Sequence, residues 1–259
     1  MNVPPACPAC GGELRDQGIG TEKVEDEVAR LFPKARIARM DLDTTRTKHG
    51  HQRIIEQFAR HEVDILIGTQ MVTKGLHFDE VSLVAVLNAD SMLQVPDFRS
   101  FERAYQMLEQ VAGRAGRTGR QGEVVIQAFQ PDLPVYTYLQ NHDYKGLYRE
   151  QLSERKVFRF PPFYRLIVLN IKHREFSRLE TASRMLQEQL SRIFGNRCSA
   201  VLMPPVARVQ NMHLRQIRLR IETSASFSQA KAHIVRCIAA VQALPACKGT
   251  IIQPDVDPM

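Results

Sequence analysis

VDILIGTQMVTKGLHFDEVSLVAVLNAD, residues 63–90, decides the fold. Two continuous apolar runs, VDILIG and VSLVAVLN, stand either side of a join rich in Gly, Thr and Lys. Short apolar runs bounded by turn residues read as strands buried on both faces, the habit of parallel sheets. Outward from this stretch the pattern alternates. Helical periodicity in TEKVEDEVARLF (21–32) precedes a strand, ARIARM (35–40), and HQRIIEQFAR (51–60) is a second helix before VDILIG. After VSLVAVLN come a long helix over about 99–112 and the strand EVVIQAF (123–129). Helices alternating with strands predict an α/β fold, a doubly wound parallel sheet. Ligands of such sheets gather at the carboxyl ends of the strands. GTQMVTKGLHF and NADSMLQVPDFR both sit there.

Residues 131–160 read as a helical connector running up to Pro161-Pro162. Beyond it the order is strand (RLIVLNIKH), helix (SRLETASRMLQEQLSRIF), strand (SAVLM), strand (IRLRIET), helix (SQAKAHIVRCIAAVQAL) and strand (GTIIQP). That order is a ferredoxin-like α+β signature. The expected organisation is a short Pro/Gly-rich segment at 1–17, an α/β lobe at 18–130, the connector, and a second domain at 161–259.

Of 259 residues, 44% are apolar and 24% charged, as in a soluble globular protein. The longest apolar runs fall far short of a membrane span. MNVPPACPAC has neither the basic nor the apolar region of a secretory signal, so a cytoplasmic location with no membrane partner is expected. Five cysteines, an odd number, do not suggest a disulfide framework. Charge is uneven. Residues 1–150 hold 18 Lys+Arg against 21 Asp+Glu, whereas 151–259 hold 17 against 7, a surplus of ten. Arg outnumbers Lys by 26 to 9, and its planar fork suits phosphate. A basic half favours a polyanion such as nucleic acid; a solvated basic surface is the plainer reading.

QVAGRAGR, 110–117, places Gly113-Arg114 and Gly116-Arg117 three residues apart at the end of the predicted helix. Arg114 and Arg117 would leave a helix on neighbouring faces, and the glycines remove bulk where a backbone or ligand approaches. Two guanidiniums beside a cleft suit the charge of a transferring phosphoryl group; ion pairing with Glu109 or Glu123 is the alternative. GTQMVTKGLHF, 68–78, supplies amides and hydroxyls at a strand end. DLDTT, 41–45, adds two carboxylates at another strand end, or a helix cap. Cys7-Pro-Ala-Cys10 before Gly-Gly is a zinc-knuckle turn with half the ligands a structural zinc requires. His77 reads as a packing residue, Met212-His213 as part of a hairpin. Phe158, Phe160, Phe163 and Tyr164 read as a plug between connector and core more than as a base-stacking platform.

CPACGG, GIGTEKVEDEV, FPKARIARMDLDTT, DILIGTQMVTKGLHF, NADSMLQVPDFRSFERAYQMLEQVAGRAGR, RFPPFYRL, RVQNMHLRQIRLRIE and the closing DVDP resemble, across nearly the whole chain, the C-terminal part of the primosomal protein N′ (PriA) family. These are superfamily 2 replication-restart DNA helicases. The resemblance implies a RecA-like helicase C-terminal lobe at 18–130 followed by a DNA-binding C-terminal domain at 161–259. QVAGRAGR would be helicase motif VI, facing Mg-ATP held by another lobe: Arg117 the arginine finger, with Arg114 and Gln110 gripping phosphates. Gly113 and Gly75 would relieve crowding at the nucleotide. GTQMVTKGLHF would be motif V, with Thr69, Gln70 and Lys74 near the DNA backbone or the nucleotide. Asp90 and Arg99 fall in the stretch leading into the motif VI helix. Implied partners are forked or single-stranded DNA, single-strand-binding protein and other primosome proteins. Cys7 and Cys10 would be the last pair of the family's eight zinc-binding cysteines, and residues 1–17 the remnant of that segment.

Two departures stand out. The sequence contains no G-x-x-x-x-G-K-[ST] P-loop and no DEAH-type segment, so the 259 residues alone are expected to hydrolyse no ATP and to hold no stoichiometric zinc. Met203, in VLMPPVAR, stands where family members commonly carry Gly. A non-catalytic DNA-binding module is the alternative reading.

Overall fold

Helix α1 (Thr21–Leu31) is amphipathic, with Glu22 in its first turn and Arg30 in its last, charges that complement the helix dipole. It is the first element of the computed structural model, which describes residues 20–41, 44, 50–69, 72, 81–115 and 122–258. The chain divides into two compact units, Met1–Tyr144 and Lys145–Met259.

In the first unit, β1 (Ile37–Met40) pairs in parallel with β2 (Ile65–Gly68), Ile37 opposite Ile65 and Met40 opposite Gly68. Between them runs α2 (Gly50–Ala59), the helical return that a parallel pair needs. Ile54, Ile55 and Phe58 of α2 join Leu66, Val72 and Val81 around fully buried Met40. A second parallel pair joins β3 (Leu83–Val86) to β4 (Glu123–Ile126), with α3 (Ser100–Ala112) in the crossover. The expected α/β alternation and parallel order are present. The described strands nevertheless form two separate ladders, where the sequence pattern suggested one doubly wound sheet. Ala104, Tyr105 and Leu108 of α3 are buried, facing α4 (Pro134–Gln140), whose first turn opens on Pro134. Proline is well placed there because the N–H it lacks has no helical partner at that position.

The second unit begins with α5 (Tyr144–Val157). A four-stranded antiparallel sheet follows, in the order β6 (Arg208–Val209), β7 (Met212–Glu222), β5 (Tyr164–His173), β8 (Ile251–Val256). Two helices, α6 (Phe176–Phe194) and α7 (Phe227–Gln242), cover one face. Buried Leu179, Ala182, Leu186, Leu190 and Phe194 recur at helical spacing on α6 and meet Ile167, Leu169, Ile171, Ile217 and Leu219 of the central strands. Alternation along β5 and β7 thus buries one set of side chains and turns the other to the sheet's second face.

One strand is not where the sequence suggested. SAVLM (199–203) and the Cys198 before it make only isolated bridges, Cys198 to Leu219 and Leu202 to Gln216. Pro204 and Pro205, just beyond, have no N–H to offer a ladder. Regular pairing resumes at β6, which turns into β7 through Gln210 and Asn211, at φ 47° and 62°. Both central residues of a two-residue hairpin turn adopt such positive φ. No helix among the described residues is long and apolar enough to cross a membrane.

Candidate functional site

Helix α3 carries the Gly-Arg motif to its end and no further. It stops at Ala112; Gly113 caps it at φ −66°, ψ 1°, its N–H reaching Glu109 O at 2.9 Å. Arg114 N then bonds to Val111 O and Ala115 N to Ala112 O, three residues back instead of four. This tightening is common where a helix runs out. Arg114 therefore sits on a turn. The helix ends where the sequence placed its end, near 112, so Arg114 leaves from a turn and not from a helical face. Gln110 is exposed on the last helical turn, and Arg114 is half-buried beyond the cap. Among the described residues, the atoms nearest a Cβ built on Gly113 are Glu109 O at 3.4 Å and Gln110 O at 3.7 Å. Both contacts leave room for a methyl group.

Gly68 is different. A Cβ there would overlap the Val72 side chain and come within 2.6 Å of Met40 O on the neighbouring strand. The glycine is thus required by strand packing, and it presents Thr69, exposed, just past the end of β2. Thr69 O accepts Val72 N at 3.0 Å, starting the next turn. Thr69 follows the end of β2, and Gln110, Gly113 and Arg114 lie at and just past the end of α3, two separate elements of the first unit. Gln70, Lys74, Gly75, His77, Arg117, Cys7 and Cys10 lie outside the described residues.

The carboxylates at strand ends are tied into the fold. Asp41, buried after β1, accepts Thr44 N at 2.9 Å, Thr21 Oγ1 at 2.7 Å and Arg39 Nη1 at 2.9 Å. These bonds, the Thr44 amide first, lower its pKa from 3.8 to about 2. Arg39 also reaches Glu22 and Glu25 of α1. Asp41 therefore fastens a helix, a strand and the following turn together. Asp90, buried after β3, accepts the Phe129 N–H past β4 and the Tyr136 hydroxyl of α4. Arg99 lies over the Phe98 ring, 4.4 Å from its centroid, beside Asp97. Sequence order alone assigned neither Asp41 nor Asp90 this joining role. A single Asp at a strand end carries no mark of what will lie opposite it.

Cys237 and Cys247 are buried and Cys198 partly so, all three as free thiols; burial raises the pKa of each. They act as small apolar side chains. Among the described residues no group of three or more His, Cys, Asp or Glu could hold a metal.

Two arginines of β7 project from the sheet face opposite α6 and α7, where Leu166 and Val168 of β5 are buried. Arg218 and Arg220 are alternate residues of β7, opposite Val168 and Leu166 of β5. The Arg220 guanidinium lies 5.1 Å from the Phe160 ring centroid. Phe160 is therefore engaged by an arginine, while Phe158 two residues earlier is 62% exposed.

Residues 20–119 match the family model described as the helicase conserved C-terminal domain. That range covers the first unit from α1 through Arg114 and on past Arg117. Similarity continues through the second unit. The replication restart protein PriA of Treponema pallidum is 35% identical over 257 residues, 99% of this chain and 38% of that protein. The chain belongs to the PriA family. PriA of Bacillus subtilis is 38% identical over 233 residues, 86% of this chain and 28% of the relative. PriA of Chlamydia trachomatis is 46% identical over 164 residues, 62% and 22% respectively. The chain thus spans between about a fifth and two fifths of these relatives and corresponds to the C-terminal part of PriA.

Proposed function

We propose that this chain is the second motor lobe and the DNA-binding C-terminal domain of an ATP-dependent helicase that acts in replication restart. One observation carries the reading: the helicase match covers the motif-bearing first unit, and PriA similarity runs on through the basic second unit. The strand–helix–strand–strand–helix–strand order and the antiparallel sheet β6-β7-β5-β8 support a ferredoxin-like second domain.

In this reading Mg-ATP is held chiefly by a P-loop lobe, and this chain contributes from the opposite side. Arg117 is the finger that meets phosphoryl charge in the transition state, with Arg114 and Gln110 gripping phosphate. Gly113 and Gly75 leave room for the nucleotide. Thr69, Gln70 and Lys74 hold the DNA strand, so that movement of one lobe against the other shifts its position. Cys7 and Cys10 form half of a zinc site completed by cysteines outside these residues. The partners are forked or single-stranded DNA, single-strand-binding protein and other primosome proteins, in the cytoplasm.

The test is DNA-stimulated ATP turnover in a helicase that joins a P-loop lobe to this chain. Arg117→Ala should lower kcat by about a thousandfold or more, the usual worth of an arginine finger, with DNA binding retained. The 259 residues alone should show no turnover. DNA-stimulated hydrolysis by this chain alone, lost on Arg117→Ala, would refute the division of labour. The surplus of ten positive charges in residues 151–259 supports a second reading, DNA binding without catalysis. It predicts that Arg117→Ala changes nothing measurable.

A further inference from the structure

Arg220 is a half-buried guanidinium with no acid to neutralise it. Its Nε is fully buried and accepted by no hydrogen-bond partner among the described residues. Burial, then the charges of Arg218 and Arg159, pull its pKa below the usual arginine value. Residues of like charge crowd together here because the strand dictates it. Arg218 and Arg220 alternate on β7 and so project from the same face, about 7 Å apart along the strand. Arg159 stands at positive φ of 60° beside Phe160, whose ring lies under Arg220. Two acids are close by. Glu222 is already held by Arg197 at 2.7 Å. Asp255 faces Val168 from β8, with β5 between it and Arg218. Neither forms an ion pair with Arg159, Arg218 or Arg220 among the described residues.

A desolvated cation among cations is unfavourable in the free protein and becomes favourable when an anion arrives. The fork of a guanidinium matches two oxygens of one phosphate. We propose that Arg159, Arg218 and Arg220 form a clamp for the phosphodiester backbone of single-stranded DNA beside the β7 edge of the second sheet, on the face opposite α6 and α7, with Phe160 supporting the central guanidinium. This rests on the DNA-binding reading of the second unit and gives it a location. The clamp holds sugar-phosphate and carries no sequence preference. Phe160 is occupied by Arg220, so base stacking is not part of it.

The experiment measures binding of a labelled oligothymidylate of about 20 nucleotides to the full chain across a salt series. Each backbone contact on a single strand contributes about 0.7 to the slope of log affinity against log salt. The Arg218→Gln/Arg220→Gln double variant should bind roughly tenfold more weakly at low salt, with the slope reduced by about 1.4. Its melting temperature should equal or exceed the parent's, since the variant loses uncompensated charge. Arg165→Gln/Arg236→Gln removes the same charge from the helix-covered side and should leave the slope unchanged. Equal affinity and slope in the first variant, or an equal loss in the second, would overturn the clamp while leaving DNA binding intact. A parent chain that binds no DNA would remove both. If the first variant loses binding to an acidic peptide and keeps its DNA affinity, the cluster serves carboxylates and the phosphodiester assignment falls.

Discussion

Asp90 Oδ1 lies 3.4 Å from the hydroxyl of Tyr136, 46 residues further along the chain, with both groups buried. The same carboxylate accepts the Phe129 N–H. One side chain thus fastens the end of β3 to the segment after β4 and to α4. Asp90→Ala should strand a buried hydroxyl and an amide, costing about 1–3 kcal/mol each before relaxation. Urea unfolding of the first unit reads this directly. Tyr136 is pushed up to about 12, first by burial and then by Asp90. Its contribution is full below the ordinary value of 10.0 and fades as pH rises towards 12. Tyr136→Phe should flatten that alkaline decline.

Asp41 acts in the opposite range. Its lowered pKa means the ionised form is favoured by folding, so its contribution is present above about pH 4 and lost as pH falls towards 2. Asp41→Asn should lower the melting temperature at pH 7. It should also remove part of the drop between pH 4 and 2. An unchanged acid limb in the variant would assign that drop to other carboxylates.

Gly113 and Gly68 should respond oppositely to a methyl group. At Gly113 the backbone suits any residue and the nearest described atoms are at ordinary contact distance. Gly113→Ala should therefore hold stability or raise it by about 0.4–1 kcal/mol, while impairing ATP turnover in the motor. Gly68→Ala meets the Met40 carbonyl and should destabilise the β1–β2 ladder. Paired thermal melts distinguish a glycine kept for a visitor from one kept for its own fold.

In the second unit, Leu186 lies at the centre of the α6 face and is fully buried. Leu186→Ala should cost about 2–5 kcal/mol, seen as a loss of slow-exchanging amides in β5 and β7.

His173 closes the same unit at its edge. Glu175 N donates to Nδ1 at 2.8 Å, which leaves Nε2–H to donate to Lys248 O at 3.1 Å. Nitrogen chemical shifts should show Nε2 protonated and Nδ1 as acceptor, and an Nδ1–H donating instead to Glu175 O, 3.1 Å away, would overturn the arrangement. His173→Ala should weaken the tie between β5 and the approach to β8.

Periodicity alone located α1, α2, α3, α6 and α7 and the strand runs on either side of residue 75. Both signals are local, since an apolar stripe repeats within a few residues whatever it packs against. The parallel order of the first unit followed from the helix between successive strands, which forces the chain back to the same end. QVAGRAGR announced two guanidiniums through composition and spacing. The predicted helix end near 112 matches α3, which stops at Ala112 before both guanidiniums. SAVLM has the composition of a strand and bonds along β7, yet an extra residue between its two bridges breaks the register of a regular ladder. That depends on which edge of β7 is free to be paired.

The sequence by itself determined the element order, the family motifs and the concentration of positive charge in residues 151–259. Each is written in residue type and spacing. Tertiary structure alone decided that Asp41 and Asp90 join distant segments, that Phe160 meets Arg220, and that neither Arg218 nor Arg220 forms an ion pair among the described residues. Those facts depend on which groups the fold brings within a few ångströms across tens of residues. Electrostatic and hydrogen-bond energies fall off over that short distance, so no one-dimensional pattern encodes them.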